Sequence, residues 1–347
     1  MVIIPYETHH THVLYVNIFW MEKKFIVSDL KPGQTLFDEP FALSELEKKS
    51  SQQGKIYYNI GLSDKTGEIH GKIWSEALVN CDLNTKIGEI VKVTGSIQEY
   101  NGKTQIVVDK MSVTTEISPA EFLPVTTRDR SQMKEDLKNE IDKIKNQDYQ
   151  KLLLAFWHDA NYLDRYSNFP AAEYVHHAYV GGLLEHVWEM YQLSRAYKSI
   201  YPNLDWDLFF TGLFFHDIGK LEELDIVGAA IIRTNAGRLI AHIGQGILFI
   251  DRLISKTNSD FDSVSKDKLF HLILSHQGEL EFGSPVRPQM VESLILSMVD
   301  ANSASINQAT KHIEKSIVSG EDFTEYHKWL GRSFYQKDYL PDATKDQ

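Results

Sequence analysis

The chain has 347 residues, more than a single hydrophobic core usually supports, so its length predicts two domains. Its formal net charge of -12 argues against general electrostatic binding of nucleic acid over the whole surface. No apolar run approaches the roughly 20 residues of a membrane-spanning helix, so we expect no membrane partner. The single cysteine, Cys81, excludes an intrachain disulfide and favours a reducing, cytoplasmic location.

Residues 1–20 contain no lysine or arginine and therefore lack the basic start of a secretory signal. We interpret them as a poorly ordered N-terminal extension. Its histidines, His9, His10 and His12, are then expected to be solvated rather than bound to a metal.

Residues 21–116 show the period-two alternation of a small β domain. Two pairs of alternating segments are each joined by turn residues, the second pair through Asn101-Gly102, which is the strongest short signal for a hairpin. About five short strands, with glycines where strands bend, predict a small closed barrel. The stretch resembles the OB-fold family of nucleic-acid-binding modules.

The same alternation divides the barrel residues between an inner and an outer face. The outer face is predicted to carry Tyr57, Asn59, His70, Lys72 and Trp74. Aromatic rings beside a lysine can stack on bases, with Lys72 and Lys103 as candidate phosphate contacts. The alternative is that Tyr57 and Trp74 cover the barrel or pack on the second domain. Residues 21–118 carry 12 Lys+Arg against 14 Asp+Glu, a balance that neither attracts nor excludes a strand.

Residues 117–130 form the predicted linker, since Pro119 and Pro124 disfavour regular structure. Beyond it the apolar spacing becomes helical, first in Met133–Ile144. Residues 131–330 are therefore predicted to be an all-α domain with Lys311–Tyr326 as its closing helix. A tail, residues 331–347, has no assigned role.

The helical region contains an adjacent His216-Asp217 pair directly after the apolar segment Leu208–Phe215. An unpaired charge buried there would cost on the order of several kcal/mol. We infer that a divalent cation compensates, because imidazole and carboxylate are good ligands for first-row metals. A buried His–Asp hydrogen bond is the alternative. The further candidate ligands, each in an apolar segment of helical pattern, are His186, His242, His276 and Asp300.

The order of these six residues, with the motif His216-Asp217-Ile218-Gly219-Lys220, resembles the HD-domain superfamily of metal-dependent phosphohydrolases. The resemblance implies a multidomain protein in which an all-α HD-domain bundle follows the OB-fold barrel. It also implies that all six residues bind one or two divalent metals, with Asp217 as the bridging carboxylate if two bind. His271 lies five residues before His276, about 140 degrees away around a helix, so the two cannot both point into one site. His276, followed by Gln277-Gly278 at a predicted helix end, matches the family position better, which leaves His271 to pack or to support a ligand from outside.

Several residues near the six candidate ligands are candidates for handling substrate. Asp217 and Lys220 are the predicted catalytic residues, although Lys220 can also be read as a solvated lysine at a helix end. Candidates for substrate phosphate are His176, His177, Arg233 and Arg238, the two arginines in a segment interpreted as a loop. In such sites a metal-activated hydroxide attacks phosphorus, so no side-chain nucleophile is needed. The absence of a P-loop argues against an ATPase.

The combination of the barrel with Gly181-Gly182-Leu183-Leu184-Glu185-His186 and the His-Asp motif resembles the YhaM family of bacterial 3'-5' exoribonucleases over residues 22–330. The resemblance implies hydrolysis of single-stranded RNA, and in some members single-stranded DNA, to nucleoside 5'-monophosphates. Mn²⁺ is the expected ion, with Co²⁺, Mg²⁺ and Fe²⁺ as alternatives.

Two other functions stay open, as does the oligomeric state, a homo-oligomer included. One is a phosphohydrolase of a small nucleotide with a regulatory barrel. The other is a single-strand-binding protein whose helical domain is not catalytic.

Overall fold

A computed structural model describes residues 24–51, 53–257, 260–316, 321–337 and 339. The predicted N-terminal extension with its three histidines lies outside the described residues, as does most of the tail after residue 337. As predicted, a five-stranded closed barrel is followed by a helical domain.

The barrel consists of β1 (Thr35–Ser50), β2 (Ile56–Asp64), β3 (Gly67–Ile73), β4 (Ile90–Tyr100) and β5 (Lys103–Val113). The strand order is β1-β2-β3-β5-β4, and β3 pairs with β5 in parallel. Register shifts in β1 let this one strand pair with both β2 and β4, which closes the barrel. Ile60, Leu62, Ile69 and Ile73 are buried inside it, as the alternation predicts.

The helical domain contains the long helices that carry the candidate ligands. Its helices are α1 (Arg130–Ile141), α2 (Gln147–Trp157), α3 (Ala160–Asn168), α4 (Gly182–Ile200), α5 (Trp206–Phe215), α6 (Lys220–Glu223), α7 (Asn235–Thr257), α8 (Ser263–Ser275) and α9 (Val291–Ser316). Short 3-10 helices occupy Val27–Asp29, Leu78–Asn80, Pro119–Glu121 and Leu280–Phe282.

An aromatic core holds these helices together. Phe156 of α2 packs against the rings of Tyr162, Tyr166, Phe214 and Phe249, with centroids 5.5–6.1 Å apart. Helix α5 is apolar along its length because it is buried on every side in this core. The polar residues that directly follow α5 therefore lie deep inside the domain.

Three details of the helical domain differ from the sequence predictions. A two-stranded hairpin, β6 (Leu224–Val227) and β7 (Ala230–Arg233), interrupts the helices. Consequently the segment from Arg233 to Arg238 is not a loop: Arg233 ends β7 and Arg238 lies in α7. The predicted closing helix Lys311–Tyr326 is wrong at residues 321–326, which are not helical, while residues 311–316 belong to α9.

The β6–β7 hairpin joins the helical domain to the barrel. Ala229 N donates a 2.8 Å hydrogen bond to Gly88 O, and a Cβ on Gly228 would lie 2.2 Å from that same oxygen. Gly88 and Gly228 both have positive φ, at 90° and 61°. An apolar cluster that includes Ile90 and Phe122 surrounds this contact. Glycine on both sides therefore allows the two backbones to meet.

Candidate metal centre

The His216-Asp217 pair lies at the end of α5, inside the core of the helical domain. His216 is the C-cap of the helix and Asp217 follows it, and both side chains are buried. His186 from α4 and Asp300 from α9 lie beside them, while His242 from α7 and His276 from the end of α8 complete the set. All six predicted ligands therefore meet, and five of them are buried.

Three of the six ligands form one group on one side of Asp217. His186 Nε2 lies 3.2 Å from Asp300 Oδ1 and 3.3 Å from His216 Nε2. Asp217 Oδ2 is 3.8 Å from His186 Nε2 and 3.3 Å from His216 Nε2. Two imidazole nitrogens and two carboxylate oxygens thus converge, a donor set that suits Mn²⁺, Fe²⁺, Co²⁺ or Zn²⁺.

The other oxygen of Asp217 faces a second group. Asp217 Oδ1 lies 3.6 Å from His242 Nε2 and 3.8 Å from His276 Nε2. Oδ1 and His242 Nε2 are buried, and neither has a hydrogen-bond partner among the described residues. Buried polar atoms without a partner are costly, so this pair fits a cation held between them. Asp217 thus lies between two potential sites, as a bridging carboxylate must.

Each of the four imidazoles has its other ring nitrogen fixed by an acceptor. His216 Nδ1 donates to Leu213 O at 2.8 Å, and His276 Nδ1 donates to Ile273 O at 2.7 Å. Because a carbonyl oxygen can only accept, each Nδ1 carries the proton of the neutral ring and each Nε2 is left as the acceptor. For His276 that acceptor takes a hydrogen bond from Gln277 Nε2 at 3.0 Å, which a metal would displace.

Side chains fix the remaining two imidazoles in the same way. His242 Nδ1 lies 3.1 Å from the Glu223 carboxylate. His186 Nδ1 lies 3.0 Å from Ser303 Oγ, which donates its own proton to Glu189 at 2.9 Å. The hydroxyl oxygen therefore accepts from His186. Outer hydrogen bonds of this kind orient metal-binding histidines in proteins.

The charge states also suit metal binding. Burial lowers the pKa of His276 to about 4 and holds the pKa of His186 well below its usual value. Burial would raise the pKa of Asp217, but the Lys220 ammonium 2.7 Å away and His216 outweigh it, so this pKa lies well below its usual range. For His216 the carboxylate of Asp217 outweighs burial and raises the pKa, so a proton and a cation compete for Nε2.

Backbone geometry explains why the motif contains a glycine. A Cβ on Gly219 would lie 1.9 Å from His242 O and 2.5 Å from Gly246 N, so only glycine lets α7 approach this closely. Immediately before His242, Ala241 adopts φ 59° and ψ 168° and breaks α7. Such a conformation is strained for alanine, and strain of this kind is concentrated at functional sites.

The predicted residues around the ligands lie at different distances from the centre. Lys220 Nζ contacts Asp217 Oδ2, and its side chain is buried, so it is not a solvated helix-end lysine. The rings of His176 and His177 have centroids 5.3 Å and 5.1 Å from that of His186. Both histidines are therefore beside the first group.

The two arginines lie further out. Arg233 Nε is 3.7 Å from Glu223 Oε1 and 4.0 Å from Glu173 Oε2. Arg238 is exposed on the first turn of α7 and forms no ion pair among the described residues. His271 contacts none of the six ligands among the described residues, and its Nε2 accepts from Gln289 N at 2.9 Å.

On the barrel, Tyr57, Lys72 and Trp74 form a compact group that we call the barrel platform. The two rings are 5.3 Å apart, and Lys72 Nζ lies 4.7 Å from the Tyr57 centroid and 5.1 Å from that of Trp74. Trp74 is 42% exposed, and the apolar cluster between the domains uses other residues. The platform is thus open to solvent.

The other predicted barrel residues are more dispersed. His70 faces Glu45 at 3.2 Å and Glu68 at 3.5 Å, so its imidazole is engaged by acidic groups. Asn59 is half-buried in β2. Lys103 is exposed at the start of β5, and by strand alternation it shares the outer face with Lys72, which pairs with Val107.

Three polar residues that support the centre are not predicted from the sequence: Glu189, Ser303 and Glu223. Each lies three positions after a predicted site residue in the helices of this region, which places it one turn along the same face. Spacing of three from a predicted ligand or catalytic residue is therefore the signal that could have found them.

Comparison with known proteins agrees with this architecture. Residues 45–114 match the model for an OB-fold nucleic acid binding domain, and residues 183–305 match the model for the HD domain. The second OB-fold domain of replication protein A from Methanococcus maripaludis aligns with 26% of this chain over 94% of its own length. The identity is 23% and the TM-score is 0.22. The fold and the site therefore define an HD-domain protein with an amino-terminal OB fold.

The similarity to curated relatives extends along nearly the whole chain. The 3'-5' exoribonuclease YhaM of Listeria welshimeri is 31% identical over 91% of this chain and 98% of its own length. The protein of the same name from Bacillus subtilis is 30% identical over 86% of this chain and 94% of its own. The chain belongs to the YhaM family of 3'-5' exoribonucleases, which confirms the resemblance. No helix among the described residues is long and apolar enough to cross a membrane.

Proposed function

We propose that this protein is a metal-dependent 3'-5' exoribonuclease that hydrolyses single-stranded RNA, and also single-stranded DNA, to nucleoside 5'-monophosphates. The observation that carries the proposal is the position of Asp217, whose two oxygens face separate groups of imidazoles. The OB fold joined to this domain supports a polymeric substrate, because a strand-binding module adds little for a mononucleotide.

The ligand set fits two divalent cations, with Mn²⁺ as the ion that we expect to be most active. His186, His216 and Asp300 would hold one, His242 and His276 the other, and Asp217 would bridge them. When bound, such ions lower the pKa of water toward neutrality and stabilise charge on attacking and leaving oxygens. The protein itself directs two Nε2 atoms toward each oxygen of Asp217 and excludes bulk water by burial.

Nearby cationic and neutral donors are suited to hold the substrate phosphate. Lys220 balances the charge of Asp217 and can donate to a phosphate oxygen at the same place. His176, beside His186, is the next donor outward. The buried His177 would act through it, because its Nε2 lies 3.1 Å from Glu189 Oε2 and its Nδ1 lies 3.4 Å from His176 Nδ1. Arg233 and Arg238, further out, would meet phosphates of the incoming strand. On the barrel, the platform and Lys103 would bind bases and backbone, with Asn59 and His70 at its border.

The test uses RNA labelled at its 5' end and, separately, at its 3' end, incubated with Mn²⁺, Co²⁺, Mg²⁺ or Fe²⁺. We expect the 5'-labelled RNA to shorten in single steps and the 3' label to be released as a mononucleotide. Asp217→Asn should abolish both, because it removes the shared charge while preserving shape. Asp251→Asn, which changes a surface carboxylate in α7 paired with Lys266, is the matched control and should retain activity.

Three results would contradict the proposal. Internal fragments from both labels would indicate an endonuclease. Hydrolysis of mononucleotides without degradation of RNA would indicate a small-nucleotide phosphohydrolase with a regulatory barrel. Binding of RNA without turnover under every metal would indicate a single-strand-binding protein.

A further inference from the structure

We propose that the folded segment at residues 321–337, which we call the C-terminal hairpin, is a second contact for single-stranded nucleic acid, separate from the barrel. Its exposed rings, Tyr326 and Trp329, stack on bases, while Lys328 and Arg332 meet backbone phosphates. The choice of a nucleic-acid strand as ligand rests on the proposed function.

The C-terminal hairpin has a defined structure rather than that of a loose tail. Antiparallel bridges join Phe323 to Tyr335 and His327 to Arg332. Thr324 N donates to Phe334 O at 2.9 Å, and the buried side chain of Thr324 accepts from Phe334 N at 3.0 Å. A turn over residues 328–331, with Gly331 at φ 65°, connects the two sides. The backbone that carries the rings at its tip is therefore fixed.

Helix α9 anchors the C-terminal hairpin and also carries a metal ligand. His312 Nε2 donates to Glu325 O at 2.8 Å, and the rings of His312 and His327 have centroids 4.8 Å apart. Asp300 lies on the same helix, and at 1.5 Å per residue the rise from Asp300 to His312 is about 18 Å. A strand that ends at the metal centre can thus reach the hairpin several nucleotides away from its end.

The tip of the hairpin has the chemistry of a single-strand binding surface. Trp329 is 74% exposed and Tyr326 is 67% exposed, and because both rings lie on one short hairpin their faces are open to a ligand together. Residues 326–335 include Lys328 and Arg332 but no aspartate or glutamate, in a chain whose net charge is -12. Lys328 Nζ lies 5.9 Å from the Trp329 ring. Aromatic rings between cations bind strands with little dependence on sequence.

Size favours a strand over a second copy of the chain. A stable protein interface buries about 800 Å² on each partner, which is more than a tip of about ten residues can supply alone. Stacking of one or two bases needs no such area. The acidic end of the hairpin is already neutralised in part, since Lys337 Nζ lies 3.0 Å from Asp322 Oδ1. Glu325 directly precedes the tip, but the tip itself carries only the positive charges of Lys328 and Arg332.

The test measures binding by fluorescence anisotropy with the full chain and EDTA, so that no turnover is required. The probes are labelled RNA oligonucleotides of about 4 and about 16 nucleotides, which bracket the site sizes of single OB folds. For the double variant Tyr326→Ala/Trp329→Ala we expect about tenfold weaker binding of the longer probe, the equivalent of about 1.4 kcal/mol, and unchanged binding of the shorter one. Tyr201→Ala, which removes an exposed ring at the end of α4, should bind both probes like the parent chain.

Trp329→Phe keeps an aromatic ring and should retain most of the affinity, so a folding defect can be told from loss of stacking. Equal affinity of the parent and the double variant for the longer probe would overturn the proposal. A double variant with a smaller sedimentation coefficient would assign the tip to contact between copies and would also overturn it. Because binding is measured without hydrolysis, an inactive parent chain would refute the exonuclease proposal without affecting this result.

Discussion

The metal centre and the barrel platform present two contrasting ways of placing functional residues. In the centre, buried imidazoles are each fixed by a second hydrogen bond, and a backbone without room for a Cβ sets the approach of α7. On the platform, two rings and a lysine contact one another but remain open to solvent. The centre should therefore fail when its geometry moves by a fraction of an ångström, whereas the platform should lose affinity gradually.

The largest effect is expected from Gly219→Ala, which tests the geometric part of this contrast. The added Cβ would meet His242 O at 1.9 Å, so α7 and its ligand must shift. A displacement of about 1 Å at a catalytic site can cost roughly 100-fold in rate. We expect at least that loss in the rate of RNA hydrolysis at saturating Mn²⁺.

Gly246→Ala is the matched control for Gly219→Ala. Its Cβ would have no neighbour closer than 3.6 Å, and alanine favours the helix by up to about 1 kcal/mol. Activity should be retained and stability should not fall. Similar activities of the two variants would mean that the close approach of α7 to Gly219 does not determine the geometry of the metal centre.

The next effect concerns the outer hydrogen bonds of the centre. Glu223→Ala removes the acceptor of His242 Nδ1 and should weaken Mn²⁺ binding by about 10- to 100-fold. In a Mn²⁺ titration, higher Mn²⁺ concentrations should be needed for activity, and part of the lost activity should return at those concentrations. Glu222→Ala changes the half-exposed neighbour that pairs with Arg165 and should leave the titration unchanged. An equal shift in both variants would mean that loss of negative charge, and not of the hydrogen bond to His242, weakens binding.

The barrel platform should respond to truncation through binding rather than through the chemical step. Tyr57→Ala/Trp74→Ala removes two stacking surfaces, each worth about 1–3 kcal/mol on other proteins. We expect at least fivefold weaker binding of long RNA, with the hydrolysis of a dinucleotide unchanged. Phe37→Ala removes a more exposed ring from β1 and is the control. An equal loss in that variant would argue that the platform is not a specific contact.

The smallest effect is expected at Glu140, a buried carboxylate of the helical domain that lies outside the metal centre. Burial raises the pKa of Glu140, but Lys198, 2.7 Å away, and Lys143 outweigh it, so the pKa is lowered. The charged form thus stabilises the fold above a pH of about 4.5, and this contribution is lost as the pH falls through the folded-state value.

Glu140→Gln should accordingly lower the free energy of unfolding by roughly 1 kcal/mol at pH 7, a typical value for a partly exposed ion pair. The difference in free energy of unfolding between the variant and the parent chain should vanish in acid. Urea unfolding at pH 7 and at acidic pH measures this difference. The Mn²⁺ titration should not change, and a shift there would mean that Glu140 is coupled to the centre.

The sequence predicts those parts of the structure that local patterns of residues reveal. His216 and Asp217 could be identified because polar residues after an apolar helix need a partner. Helical register showed that His271 and His276 cannot both face one site, and the resemblance to the HD-domain family selected His276. The hairpin of β6 and β7 could not be predicted, because four-residue strands are too short for alternation to stand out. Glu223 and Ser303 were missed because their role depends on which residue lies opposite in the fold.

The meeting of Gly88 and Gly228 has a consequence for how digestion ends. The hairpin that touches the barrel begins directly after Glu223, the residue that orients His242, so barrel and metal centre are held at a constant separation. A constant separation sets a minimum length for a strand that occupies both. Once hydrolysis shortens the strand below that length, the remaining oligonucleotide can no longer contact the barrel and the metal centre together. Short oligonucleotides should therefore accumulate before they are degraded.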